Sequence, residues 1–279
     1  MNILANDGIS QSGIDALKSY GFNIITNNVA QEQLVNYINT NSIEAILVRS
    51  ATTVRKDLID SCPNLKLIGR GGVGMDNIDV EYAKNKNIHV INTPAASSAS
   101  VAELVFAHLY GGVRFLYDSN RNMPLEGESN FKVLKKNYSK GLELRGKTIG
   151  IIGLGRIGNR TATKAIHGLG MNTIAYDPYI NQVPSKNSVR LVPNLNELLE
   201  KSDYLSLHIP LTKETNKLIN LDRISAMKPG SFLINTSRGE TVDLDAVSSA
   251  LDSGHIAGAA IDVFPQEPPN LNHPIFYSP

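Results

Sequence analysis

Two doubly wound parallel-sheet domains of the α/β class, with a cleft between them, are what this 279-residue sequence predicts. Three observations predict them. Short apolar runs alternate with helical patterns along the chain, as parallel strands joined by crossover helices require. A Gly-x-Gly-x-x-Gly loop, at Gly153, Gly155 and Gly158, stands at the head of a second such series. The length suits two domains rather than one.

In the first series NILAND (2–7), FNIIT (22–26), EAILVRS (44–50), LKLIGRGG (65–72) and IHVINTP (88–94) read as strands. GIDALKSY, QEQLVNYINT, RKDLIDSC and VEYAKNKN lie between them and read as helices or helical turns. A longer helix is expected over 98–120, started by Ser98 or Ser100, because Val101, Leu104, Val105, His108 and Leu109 recur near helical spacing. The polar stretch 121–146 has weak periodicity and several glycines, and is expected to be a surface loop with one helical turn. The second series supplies strands at 147–153, 172–178, 203–210, 231–237 and 256–263, with Gly254 as a helix stop. The first domain is expected over 1–98 and the second over 99–279.

Composition narrows the function classes. Lys plus Arg number 27 against 26 Asp plus Glu, a net charge of +1, which offers no electrostatic footprint for nucleic acid or an anionic membrane surface. A small anionic substrate needs only a few placed arginines. The single cysteine, Cys62, permits no intrachain disulfide, and no metal site is expected. No apolar run reaches the eighteen or so residues that span a bilayer, and the start MNILANDGIS lacks the basic and long apolar regions of a signal peptide. A cytoplasmic protein is expected.

The glycine loop gains meaning from its surroundings. An apolar strand precedes it, a helical pattern opens at Arg156, and a second strand ends in Asp177, nineteen residues after Gly158. That is the Rossmann dinucleotide fingerprint. Gly153 makes the tight turn, Gly155 lets the backbone approach a pyrophosphate, and Gly158 lets the helix lie close to the strand. The helix N-terminus offers unpaired N–H groups and a positive dipole end to phosphates. Asp177 would accept hydrogen bonds from the adenosine ribose; its plainer reading is that it opens an Asp-Pro turn. No arginine follows Asp177 until Arg190, so a 2′-phosphate would meet repulsion, and NAD is expected rather than NADP.

Ligands of open α/β sheets bind beyond the carboxyl ends of the strands. Those ends carry Arg49-Ser50, Arg70 with Gly72, Val73 and Gly74, His208-Ile209-Pro210, Thr236-Ser237-Arg238, and Asp262 with Glu267 shortly after. Each guanidinium could hold a carboxylate bidentately. A structural ion pair is the alternative for Arg238, and ordinary salt bridging for Arg49 and Arg70. His208 is either catalytic or a packed, hydrogen-bonded residue of the cofactor half, and the second is favoured.

GRGGVGMDNIDV, NTPAASSASVAEL, GKTIGIIGLGRIG, HIPLTKETNKLIN, MKPGSFLINTSRGETVD and GHIAGAAIDVFPQEPP together resemble the D-isomer-specific 2-hydroxyacid dehydrogenases over nearly the whole chain. VRSATTVRKDLID and LKLIGRGGVGMDNID are most similar to the branch acting on 3-phospho-D-glycerate, in serine biosynthesis. The resemblance implies a flavodoxin-like substrate domain, an NAD-binding domain and a homodimer formed through the latter. It implies catalysis by an arginine, a glutamate and a histidine. The first two match Arg238 and Glu267. Asp262 matches the acid near the nicotinamide, and Arg156, Ile157, Ile209, Thr236 and Val73 fall where family members contact NAD. For a phosphorylated substrate Arg49, Arg70, Lys135 or Lys136 would meet the phosphate.

The sequence departs from the family at one place. The family's histidine lies about twenty residues after its glutamate, whereas this sequence has twelve residues after Glu267. The catalytic histidine and the segment that completes the substrate domain are therefore expected beyond residue 279, and His273 is a poor substitute. Two other readings stand beside the first: a glyoxylate, hydroxypyruvate or D-lactate enzyme with the same chemistry, and an NAD-sensing corepressor-like scaffold.

Overall fold

The computed structural model describes residues 1–183 and 188–278, which fall into two compact units, 1–97 and 98–279. In the first unit β1 (Asn2–Ala5), β2 (Asn23–Ile25), β3 (Ala45–Val48), β4 (Leu67–Arg70) and β5 (His89–Asn92) form one sheet in the order β2-β1-β3-β4-β5. Every pairing is parallel. Helices α1 (Gln11–Ser19), α2 (Leu34–Thr40), α3 (Lys56–Ser61) and α4 (Val80–Asn85) make the crossovers. Leu4, Ile46, Val48 and Ile68 from the strands meet Leu34, Ile38, Leu58, Ile59 and Ala83 from α2 to α4 in one core. By contrast α1 buries none of its residues. This is the flavodoxin-like order, whose direction reverses between β1 and β3.

The second unit starts with α5 (Ser98–Val113) and α6 (Leu116–Tyr138) and continues as β6 (Thr148–Ile152), α7 (Arg156–Thr163), β7 (Asn172–Tyr176), β8 (Arg190–Leu191), α8 (Leu195–Lys201), β9 (Tyr204–Leu207), α9 (Leu221–Ser225), β10 (Ser231–Asn235), α10 (Leu244–Asp252) and β11 (Ile256–Ile261). Its sheet runs β11-β10-β9-β6-β7-β8, again wholly parallel. Both faces are covered. Ile152, Leu205, Leu207 and Leu233 pack with Leu198, Leu199, Ile224 and Val247 on one side. Ile149, Ile151, Ala175 and Ile234 pack with Val105, Phe106, Leu109 and Ala162 on the other. Two-sided burial is why strands such as TIGII are continuously apolar rather than alternating. Each fully buried isoleucine or leucine contributes about 1.5–3 kcal/mol of transfer free energy.

Residues 114–146 correct the sequence reading. The helix expected to run to 120 ends at Val113, because Phe115 adopts a left-handed φ of 53°. The stretch expected as a loop is the 23-residue α6, through Pro124 and a kink at Asn130. Leu134 is its one buried residue among those described. A helix anchored so sparsely needs no 3.6-residue apolar stripe, so periodicity carried no signal of it. Strand β8, two residues long, also escaped the sequence reading. At the far end of the unit Gly254, at φ 70°, stops α10 as expected. Among the described residues no helix is long and apolar enough to cross a membrane.

Candidate active site

The strand order of the second unit reverses between β6 and β9, and the glycine loop lies at that reversal. Gly153 follows β6 at φ 87°, and a Cβ on it would sit 2.6 Å from the His208 carbonyl oxygen beyond β9. No L-residue fits there without moving a backbone. A Cβ on Gly158 would lie 2.1 Å from the Gly153 carbonyl oxygen, so the close approach of α7 to the turn requires a bare Cα. Gly155 differs: a Cβ on it would meet nothing within 4 Å and would point into open space. Gly155 caps α7 without any side-chain hydrogen bond, so the first-turn amides of Arg156 and Ile157 are not capped by a side chain.

Asp177 closes the far side of the loop. One carboxylate oxygen accepts from the Leu154 N–H at 2.9 Å and the other from the Tyr179 N–H at 3.0 Å. The acid thus holds the glycine turn and begins the Asp-Pro turn, the plainer of the two readings of this residue. On the neighbouring strand ends, His208 Nδ1 and Thr236 Oγ1 are buried polar atoms without a hydrogen-bond partner among the described residues. Buried polar groups are seldom left so. An open cradle at Gly155, uncapped helix amides and two orphaned polar atoms on adjoining strand ends fit a dinucleotide.

His208 is half-buried as a residue, but its Nδ1 is fully enclosed; Nε2 lies 3.0 Å from Ser206 Oγ. Desolvation pushes its pKa down to about 4 from 6.5. The imidazole is therefore neutral in the folded protein, and more basic once unfolded. Its contribution to stability is full above pH 6.5, shrinks as pH falls through that value, and is spent below about 4. Urea midpoints at pH 7.5 and pH 4.5 are expected to differ less in His208→Gln than in the wild type. The difference is at most about 3 kcal/mol; equal acid sensitivity in both proteins would contradict it.

Arg238 and Glu267 come from the ends of β10 and β11. Asn235 and Thr241 build the Arg238 turn: Asn235 Nδ2 and Thr241 Oγ1 donate to the Arg238 carbonyl at 2.9 and 2.7 Å, and Asn235 Oδ1 accepts from the Ser237 N–H. The guanidinium Nη1 donates to the Ser237 carbonyl at 2.7 Å. The next residue, Gly239, lies so close to the following loop that a Cβ would fall 2.0 Å from the Phe264 carbonyl carbon. Backbone meets backbone there, seating the Arg238 turn against the segment that carries Glu267. Asp262 and Glu267 are exposed, and Glu267 Oε1 accepts from the Phe264 N–H at 3.5 Å. His273 serves elsewhere: Nε2 lies 3.3 Å from Asp245, and Nδ1 accepts from the Ile275 N–H. Ile209 packs against the sheet core, and Pro210 accepts from Thr215 Oγ1 at 2.7 Å.

The first unit holds a cavity of about 520 Å³ at its own strand ends, lined by Asp7, Gly8, Arg49, Arg70, Gly71 and Thr93 among others. Gly72 lies beneath the Arg70 side chain, where a Cβ would fall 1.8 Å from Nη1. Arg49 and Ser50 are exposed on the loop after β3. The Val73 carbonyl accepts from Asn92 Nδ2 at 2.7 Å, and Gly74 follows it on the same loop. Lys135 and Lys136 are exposed in the last turn of α6. Sequence reasoning missed Asp7, Asn77, Asn235 and Thr241, whose hydrogen bonds hold the loops. The GRGGVGMDNID and NTSRGET stretches that contain three of them were the available signal.

Fold and site together define a two-unit α/β protein whose second unit is built to take a dinucleotide. Residues 106–279 match the D-isomer specific 2-hydroxyacid dehydrogenase, NAD binding domain, and the chain belongs to that family. It is 40% identical over 273 residues, 98% of this chain and 50% of the relative, to D-3-phosphoglycerate dehydrogenase of Methanocaldococcus jannaschii. It is 40% identical over 246 residues, 88% of this chain and 76% of the relative, to hydroxypyruvate reductase of Thermotoga maritima. D-Lactate dehydrogenase from Aquifex aeolicus, solved with NAD and lactic acid, superposes with a TM-score of 0.75 at 35% identity, covering 96% of this chain and 78% of that one. The chain spans about half the length of the phosphoglycerate dehydrogenases it matches.

Proposed function

We propose that this protein is an NAD-dependent oxidoreductase of D-2-hydroxy acids that acts on 3-phospho-D-glycerate. The observation that carries the reading is the backbone contact at Gly239 and Phe264, which seats the Arg238 turn against the Glu267 loop. Gly153 to Gly158, Asp177, His208 and Thr236 would hold NAD, whose nicotinamide supplies hydride exchange at C2 of the acid. Arg238 binds the substrate carboxylate and polarises the C2 oxygen. Glu267 accepts a hydrogen bond from an imidazole, fixing its tautomer and raising its basicity so that it takes the hydroxyl proton. His273 is already tied to Asp245.

Arg49 and Arg70 would meet the phosphate. The M. jannaschii relative supports this substrate, and the T. maritima reductase, matched over more of its own length, favours hydroxypyruvate as the second reading. Steady-state rates on 3-phosphoglycerate, hydroxypyruvate and lactate separate them. A preference of about 100-fold for the phosphorylated acid is expected, falling to near unity in the Arg49→Ala, Arg70→Ala double variant. Comparable rates on lactate would overturn the substrate. No turnover on any hydroxy or keto acid would favour the NAD-sensing scaffold.

The same reading includes a homodimer through the second unit. Leu116, Tyr117, Leu125, Phe131 and Val133 of α6 are exposed. Asp118, Arg121 and Glu126 leave its first half net negative, and Glu128, Lys132, Lys135 and Lys136 leave its second half net positive, so two antiparallel copies complement each other. A solution mass of twice the chain's is expected from light scattering, and a monomer at micromolar concentration would contradict it.

A further inference from the structure

The loop Arg49–Thr52, leaving β3, is gripped from two sides by two side chains. Asp7, two residues beyond β1, accepts from the backbone N–H groups of Arg49 at 2.6 Å and Thr52 at 3.1 Å, and from the Thr52 hydroxyl. Asn77, on the segment after β4, donates to the carbonyls of the same two residues, Arg49 at 2.8 Å and Thr52 at 2.6 Å. Its remaining polar atom, Oδ1, accepts from Arg70 Nε at 2.9 Å. Every hydrogen-bonding group of the Asn77 amide is thereby used, and both oxygens of Asp7 are engaged.

One amide therefore joins the loop that carries Arg49 to the guanidinium of Arg70. Long arginine side chains lose considerable rotamer freedom on binding an anion, and a preset geometry removes part of that cost beforehand. Loop stability alone would require only the contacts to Arg49 and Thr52. The third bond, to Arg70, is spent on orienting a guanidinium at the mouth of a cavity. Gly72 leaves that guanidinium the room it occupies.

We propose that Asp7 and Asn77 are positioning residues that set Arg49 and Arg70 as one fork for the phosphate end of the substrate. The inference rests on the reading of these arginines as anion binders. It assigns Asp7 no proton-transfer role, since its oxygens face donors.

Calorimetric titration of 3-phospho-D-glycerate into the protein holding NADH tests it, with Arg70→Ala, Asn77→Ala, Asn77→Asp and the Arg70→Ala, Asn77→Ala pair. Asn77→Asp is nearly isosteric and keeps the acceptor for Arg70. It places carboxylate oxygen against two carbonyls, so about tenfold weaker binding is expected with NADH affinity unchanged. Asn77→Ala is expected to cost about tenfold with Arg70 present and about twofold without it, because a positioning residue acts through its partner. Equal costs of Asn77→Ala in both backgrounds would make Asn77 merely structural and overturn the inference. Should Asn77→Ala fail to fold, Gly72→Ala, which displaces the Arg70 guanidinium and leaves the grip on the loop intact, is expected to weaken binding as Arg70→Ala does; unchanged binding would also overturn it. Unchanged binding in Arg70→Ala itself would instead remove the anion-binding reading beneath it.

Discussion

Gly155→Val is expected to leave the protein folded but unable to bind NADH, whereas Gly158→Ala is expected to damage the second unit itself. The two glycines belong to one motif, yet their surroundings are opposite. A side chain on Gly155 meets nothing within 4 Å, so the melting temperature should stay within about 2 °C of the wild type. The added isopropyl group occupies the space above the uncapped amides of α7, where a pyrophosphate would lie. NADH titration by fluorescence should show at least about 100-fold weaker binding. On Gly158 even a methyl lies 2.1 Å from the Gly153 carbonyl oxygen, a backbone atom that cannot rotate away. Separating α7 from the turn should cost about 2–3 kcal/mol and lower the melting temperature by about 5–10 °C. NADH binding by Gly155→Val at wild-type affinity would refute the placement of the cofactor on this loop.

Arg238→Lys is expected to abolish turnover while sparing the cofactor site. The lysine keeps the positive charge but loses the planar fork that pairs with a carboxylate and reaches the C2 oxygen together. A drop in kcat/KM of about 10³-fold is expected, with NADH affinity within twofold of the wild type. Glu267→Gln should behave differently. It retains an acceptor for the imidazole and loses the charge that raises the imidazole's basicity, so the acid limb of the pH–rate profile should move to lower pH. If Arg238→Lys retained more than a tenth of wild-type turnover, the role given to Arg238 would be wrong.

Much of the fold was legible because each strand's apolar run and each turn's glycine are local facts. TIGII, YLSL and SFLIN announce two-sided burial without reference to their neighbours, and the glycine spacing announces a turn into a helix. The helix over 116–138 was not legible, since Leu134 is its one buried residue among those described and no stripe repeats along it. The site divided in the same way. Arg238, Glu267, Arg49 and Arg70 could be picked out because chemistry chooses residue types and strand ends are visible in the sequence. The residues that hold them were hidden, because Asp7 bonds to residues 42 and 45 positions away, and Asn77 to residues 25 and 28 away.

The sequence by itself determined the α/β alternation, the dinucleotide loop and the residue types of the chemistry, each of them written in short local stretches of chain. Only the tertiary structure decided that His208 is neutral, that His273 is bound to Asp245, and that Gly239 joins the Arg238 turn to the Glu267 loop. Desolvation and backbone contact depend on which distant segments arrive together, and that is settled by the packing of whole strands and helices rather than by any single stretch of chain.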